Sequence, residues 1–273
     1  MANFLPQMEG HGVISSMNGR AFESNGLVGA SHGSCAIGVM AKTPRPGFSK
    51  TRLCPPLRPE QAAALSAAFL RDTTTNIARA ALSVPVTGYA AYAPSGTEEA
   101  LISHVAQGTV CVLADGSAPI PPGVEGFGRC LLHAIQQMFA AGHAAACVLS
   151  SDTPTLPTQF LVNAVSALLP GDHGRVVLGA CDDGGYYLLG MRVPHARLFA
   201  DIAWSTSSVA ATTRTRAAEL GLDLVELPPW YDIDDAAALE QLVRDSAGYD
   251  ALWTRHAIQM FGLETFTRPQ CTI

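Results

Sequence analysis

Short apolar runs alternate along the chain with longer stretches in which apolar residues recur every three or four positions. Residues 34–42 (SCAIGVMAK), 86–93 (VTGYAAYA), 108–115 (GTVCVLAD) and 144–152 (AAACVLSSD) are apolar runs of strand length. Between them, residues 58–82 carry a long helical period, residues 100–106 a short one, and residues 127–142 a third that stops at Gly142. The stretch 116–126 (GSAPIPPGVEG) is a loop by its Gly and Pro content. The alternation then continues: a helix over 156–171, two strands within 175–192 around an acidic turn, a helix over 207–221, a strand over 222–229, and helices over 234–245 and 249–262. There is no internal repeat. Strands alternating with helices predict one α/β domain over residues 34–273, with a mostly parallel central sheet flanked by helices on both faces. Residues 1–33, rich in Gly, Ser and Asn and without a period, are expected to form a flexible N-terminal extension.

Composition narrows what such a domain does. The chain has 273 residues, 48 % hydrophobic and 15 % charged, which is ample material for a core. A formal net charge of −6 argues against a nonspecific nucleic-acid binder, which carries a basic surface. The seven cysteines (35, 54, 111, 130, 147, 181 and 271) are odd in number and never at CxxC spacing. They read as thiols of a reducing compartment rather than as a zinc site or a disulfide framework. No signal peptide opens the chain, and the most apolar helical stretch is broken by His, Gln and Gly. A cytoplasmic protein without a membrane span is expected, with a homo-oligomer left open.

Parallel α/β sheets bind ligands outside the carboxyl ends of their strands, and the polar residues of interest follow the apolar runs. The segment AKTPRPGFSKTRL (41–53) places Lys42, Arg45, Lys50 and Arg52 in one loop that Pro stiffens and in which Gly47 permits close backbone approach. Such a loop suits a di- or triphosphate, though it lacks the P-loop pattern; a merely solvated basic loop is the plain alternative. In VLSSDTPTLP, Asp152 follows a strand, where it is either a ligand for Mg²⁺ or Mn²⁺ or a helix cap. In CDDGGYYLLG, Asp182 or Asp183 is placed to orient an acceptor hydroxyl, take its proton or hold a metal, while Asp-Gly alone reads as a hairpin turn. In PPWYDIDDAAALEQL one of Asp232, Asp234 and Asp235 is expected to cap the following helix, and another could complete a metal site with Asp152.

These motifs, together with IAWSTSSV (202–209), resemble as an ordered set the small bacterial GT-A-fold transferases known as radical-SAM/selenodomain-associated transferases, some of them labelled arsenosugar-biosynthesis glycosyltransferases. The resemblance covers about residues 35–243 and extends to the molybdenum-cofactor and phospholactate guanylyltransferases. It implies a GT-A/Rossmann-like domain in which Lys42, Lys50 and Arg52 hold the nucleotide phosphates. It further implies that Asp152 and Asp234 hold Mg²⁺ or Mn²⁺, and that Asp182, Gly184, Gly185 and Tyr186 form the acidic GGYY segment facing the ligand cleft, with Asp183 beside them. The chain departs from the family's GDLGER-like segment, reading EGFGRC at 125–130: Gly126 stands for Asp and Cys130 for Arg, with Arg129 adjacent to supply the charge. The family's TPEDL is DAAAL here. The leading expectation is a metal-dependent glycosyltransferase moving a sugar from a nucleoside-diphosphate sugar to a small-molecule acceptor. The alternatives are a nucleotidyltransferase that uses an NTP and releases pyrophosphate, and a nucleotide-binding protein without catalysis.

Overall fold

Period-two alternation in the first apolar run sends Cys35, Ile37 and Val39 to one face of a sheet and Ala36 to the other, and all four are fully buried. A computed structural model describes residues 33–245 and 250–263. The expected N-terminal extension, except Gly33, lies outside the described residues, as does Cys271. The strands are β1 (Cys35–Ala41), β2 (Val86–Tyr92), β3 (Val110–Leu113), β4 (Ala145–Leu149), β5 (Arg175–Cys181), β6 (Tyr186–Met191) and β7 (Asp223–Trp230). The helices are α1 (Pro59–Ala80), α2 (Glu98–Ile102), α3 (Phe127–Ala140), α4 (Thr158–Leu168), α5 (Val209–Glu219), α6 (Ala236–Asp245) and α7 (Leu252–Met260). Short 3-10 turns occupy Thr51–Leu53 and Ala196–Phe199. Several helices are shorter than their apolar periods. Thus α4 starts at Thr158 rather than 156, because Pro157 takes the cap position and Leu156 is tied into the preceding loop by Thr153.

The sheet order is β3-β2-β1-β4-β6-β5-β7. Only β6 runs against its neighbours β4 and β5; the remaining pairs are parallel, so one α/β domain with a mostly parallel sheet is what the chain forms. Leu70 and Ile77 of α1 and Leu161, Val165 and Leu168 of α4 cover one face, with Cys35, Ile37 and Val39 beneath them. Leu131, Leu132, Ile135 and Met138 of α3 cover the other, against Ala36, Val148 and Leu189. Each such fully buried Leu or Ile contributes roughly 1.5–3 kcal/mol. A further layer lies outside α1, where Leu65 and Phe69 meet Ile233, Leu239 and Leu242 from the chain around α6 and Ile258 of α7. Asp72 on α1 ties α7 down by accepting from the backbone N–H groups of Trp253 and Thr254 at 3.2 and 2.7 Å.

Two details at the β5–β7 side decide where the chain goes next. A Cβ on Gly179 would lie 2.2 Å from Tyr187 Cζ, so only Gly lets the Tyr187 ring cross β5; its hydroxyl donates to Pro228 O at 2.9 Å. Pro228 and Pro229 cannot donate to a ladder, and the β5–β7 register shifts there, between the Gly179–Leu227 and Cys181–Trp230 partners. Past this bulge the chain turns back over the carboxyl end of β5 and the amino end of β6: Asp182 N–H donates to Trp230 O at 3.1 Å, and Ile233 N–H to Asp152 O at 3.0 Å.

Candidate active site

The carboxyl ends of β1, β2 and β4 open into a cleft of about 960 Å³, at the large end of the range for small-molecule sites. Its walls include the loop after β1, Ala93–Pro94–Thr97 after β2, the start of α3 at Gly126–Phe127, and Ser150–Asp152 after β4. Tyr186, Tyr187 and Asp234 complete it.

The backbone that returns from β7 brings two acidic residues to one point. Asp152 does not cap a helix; the cap of α4 lies five residues later. Its Oδ1 sits 2.9 Å from Lys50 Nζ, and Asp234 Oδ1 is 2.7 Å from the same nitrogen. The Ile233 carbonyl accepts from it as well, at 2.7 Å. Asp235, not Asp234, serves as the cap of α6, accepting from Ala238 N–H at 2.9 Å, which leaves the Asp234 carboxylate for the cleft. Burial alone would lower the Lys50 pKa, but the charges of Asp152 and Asp234 outweigh it and the net shift is upward.

Lys50 is therefore not the exposed phosphate cation expected of the basic loop. Its side chain is 9 % exposed, its ammonium is spent on three oxygens, and its backbone is left-handed (φ 50°, ψ 41°), which turns the side chain inward. The other loop cations differ. Lys42 and Arg52 are exposed, line the cleft and have no hydrogen bond or ion pair among the described residues, whereas Arg45 lies over the Phe48 ring at 4.9 Å. Gly47 (φ 75°) forms the exposed apex of the Arg45–Ser49 turn and does not line the cleft, so its freedom serves the turn. Arg129 is also redirected: its guanidinium donates to Gly116 O at 2.9 Å, away from the cleft that Gly126, Phe127 and Cys130 line. It does not replace the charge absent at Cys130.

Asp182 and Asp183 form the β5–β6 hairpin turn and are exposed, but they do not line the cleft. The turn joins β6, the neighbour of β4, to β5, so it stands between one and two strand widths from the end of β4, roughly 5–10 Å. Asp183 Oδ1 accepts from Gly185 N–H at 2.8 Å. Ligand atoms of Asp183, Asp232 and Cys181 lie within 4.8 Å of one another. Asp232 is the functional candidate that sequence patterning passed over in favour of Asp234. Its partly buried carboxyl is pushed up to about 6, first by burial and then by Asp183 and Asp234.

The glycine pair does not line the cleft. Gly184 (φ 90°) abuts the chain leading into α5: a Cβ there would lie 2.0 Å from Ser207 O, and Ala210 N–H donates to Gly184 O at 2.9 Å. A Cβ on Gly185 would first meet the Asp183 carboxylate, at 3.1 Å. Tyr186 does line the cleft. Its ring meets Trp204 edge-on at 6.5 Å, Trp204 meets Phe127 likewise at 5.8 Å, and burial raises the Tyr186 hydroxyl, which has no hydrogen-bond partner.

A family model described as "Uncharacterized protein conserved in bacteria (DUF2064)" matches residues 65–206. No curated protein matches the chain. Among solved structures, a protein from Desulfovibrio desulfuricans G20, provisionally designated a nucleotide-diphospho-sugar transferase, aligns with a TM-score of 0.70 at 24 % identity, over 83 % of this chain and 95 % of that one. A cytidylyltransferase from Leptospira borgpetersenii serovar Hardjo-bovis (strain JB197) aligns with a TM-score of 0.50 at 11 % identity, over 86 % and 98 %. Likeness at these identities is likeness of fold. No helix among the described residues is long and apolar enough to cross a membrane.

Proposed function

Because the chain belongs to the bacterial DUF2064 family and folds as these transferases do, we propose that it is a metal-dependent transferase that moves a sugar from a nucleoside-diphosphate sugar to a small-molecule acceptor. The observation that carries this reading is the convergence of Asp152 and Asp234 on one cation-sized point beside a cleft lined by Lys42 and Arg52. The donors around that point are two carboxylates and the Ile233 carbonyl, hard oxygens already arranged about a positive charge. Such a set fits Mg²⁺ or Mn²⁺, for which one or two carboxylates suffice when substrate phosphates complete the shell. When bound, the ion would neutralise charge on the departing diphosphate.

The protein's own residues supply the rest. Lys42 and Arg52, which have no partner among the described residues, receive diphosphate oxygens. Phe127 and Tyr186 present rings to the cleft and exclude water from its inner wall. Asp183 and Asp232, grouped beside the returning segment and outside the cleft lining, are the carboxylates that would orient an incoming hydroxyl; Asp182, beside them, is held through its backbone to Trp230. In this reading the partners are a nucleotide sugar and a small acceptor.

One observation favours nucleotidyl transfer as the second reading. Lys42 and Arg52 add two uncommitted cations at the cleft to whatever ion the carboxylates hold, enough for a triphosphate. Thermal shift separates the two. UDP-, GDP-, ADP- and TDP-sugars and the free NTPs are compared with and without Mn²⁺. A Mn²⁺-dependent rise in midpoint with a nucleotide sugar supports glycosyl transfer, and a rise confined to an NTP supports nucleotidyl transfer. No rise with either class refutes the proposal.

A further inference from the structure

The ammonium of Lys50 has three hydrogens and meets three oxygens: Ile233 O at 2.7 Å, Asp234 Oδ1 at 2.7 Å and Asp152 Oδ1 at 2.9 Å. It is thus a resident cation with a complete set of partners, 9 % exposed, at the point where a divalent ion shared by Asp152 and Asp234 would lie. An ammonium and a divalent ion cannot both occupy it. The stem that carries the ammonium leaves a left-handed residue at the inner end of the basic loop, and the same loop brings Lys42 and Arg52 to the cleft.

We propose that the site takes its metal only as a metal–diphosphate complex, and that Lys50 is the positioning residue that enforces this. The inference rests on the reading of Asp152 and Asp234 as metal carboxylates. A free divalent ion arriving alone must expel Lys50 from three oxygens and leave its ammonium without an acceptor. An ion that arrives on a diphosphate brings the acceptors with it: the phosphate oxygens receive the displaced ammonium while the carboxylates receive the ion. Charge is then balanced at each stage, and Lys50 ends as the phosphate cation that it is not in the free protein. The cleft is held in register by the same contact, since Lys50 ties the loop after β1 to the chain after β4 and to the chain after β7.

The test is Mn²⁺ binding, followed by electron paramagnetic resonance of the free ion and by water-proton relaxation of the bound ion. Wild type is titrated with Mn²⁺ alone and with Mn²⁺ plus equimolar pyrophosphate. Lys50→Met and Lys50→Met/Asp152→Asn are titrated with Mn²⁺ alone. Removing one opposing unit charge from the site should tighten Mn²⁺ binding by about tenfold or more in Lys50→Met. The double variant should lose that gain, and wild type should hold Mn²⁺ firmly only with pyrophosphate. Because phosphates completing the ion's shell would by themselves favour binding with pyrophosphate, the variant arm decides the role of Lys50, and Lys50→Gln replaces Lys50→Met if the latter does not fold. If wild type binds Mn²⁺ alone as tightly as with pyrophosphate, or if Lys50→Met binds it no better than wild type, the gating role of Lys50 is overturned while the metal site stands. If neither protein takes up Mn²⁺ under any of these conditions, the metal-dependent function fails and the gating role falls with it.

Discussion

Gly184→Ala should damage the fold far more than Gly185→Ala, although the two glycines are adjacent in one turn. At Gly184 (φ 90°) a Cβ would sit 2.0 Å from Ser207 O and 2.6 Å from Ser207 C and Cα, all backbone atoms that cannot rotate away. An L residue forced into this region costs about 1–2 kcal/mol. Pushing the chain ahead of α5 aside adds about 1–3 kcal/mol of overpacking strain, so the total is roughly 2–5 kcal/mol. At Gly185 the nearest atom is Asp183 Oδ1, 3.1 Å away on a side chain that can turn, and the cost should stay under about 1 kcal/mol. Urea denaturation of the two variants gives the comparison: with a slope of about 2–3 kcal/mol/M, Gly184→Ala should lower the midpoint by ~1–2 M. If Gly184→Ala shifts the midpoint no more than Gly185→Ala does, yet weakens nucleotide binding, then the glycine faces ligand rather than Ser207 and this account of the turn is wrong.

Asp152→Asn should abolish metal-dependent turnover with only a modest fall in thermal midpoint, because the amide oxygen can still accept from Lys50 and the residue caps no helix; a large loss of midpoint with activity kept would refute the metal role. Arg52→Ala should weaken nucleotide binding by on the order of 1.5–3 kcal/mol without unfolding, whereas Arg129→Ala should leave it unchanged, as calorimetry would show. Asp232 has a folded pKa of about 6 against 3.8 for the free group, so its contribution to stability is present below pH 3.8 and is lost as the pH rises to 6. A rise from 3.8 to about 6 would correspond to about 3 kcal/mol for a fully buried group; partial exposure screens this to about 1–2 kcal/mol. In metal-free buffer Asp232→Asn should therefore gain on wild type between pH 4 and 6, and parallel pH profiles would refute the assignment. Asn76→Leu should cost about 1–3 kcal/mol, since it strips Leu156 O and Thr158 Oγ1 of partners at 2.7 and 2.5 Å.

The fold was legible in the chain because its central strands β1, β4, β5 and β6 are buried on both faces and read as plain apolar runs, and because each polar cluster follows a strand. That rule also placed Asp152 and Asp234 on one edge, although the distance between them depended on the prolines of β7 turning the chain back, which no local pattern announces. The basic loop divides in a way that its sequence does not show. Lys50 looks like its neighbours in sequence, and only its left-handed backbone and the two carboxylates across the sheet separate it from Lys42 and Arg52. Arg129 was misjudged for the same kind of reason, since its partner Gly116 lies 13 positions back in an irregular loop. The pair Gly184–Gly185 invited a ligand explanation because the residue that Gly184 touches, Ser207, arrives from a distant part of the chain. Asp232 was visible as a residue, but its raised pKa comes from burial and from Asp183, neither of which spacing reveals.

The paired prolines have a second consequence, at the outer rim of the sheet. β7 is an edge strand, and Pro228 and Pro229 offer no amide hydrogen to a strand that might approach from outside. Beside them, Glu226 is clasped by Arg214 in a two-pronged contact at 2.9 and 2.7 Å, which puts charge along the same rim. At the opposite rim β3 is four residues long. A strand from another molecule would find little to zip onto at either side, which protects the chain from growing into a continuous ribbon during synthesis and storage. Self-association, where it occurs, should accordingly build through helical surfaces, leaving the carboxyl edge of the sheet open to small molecules.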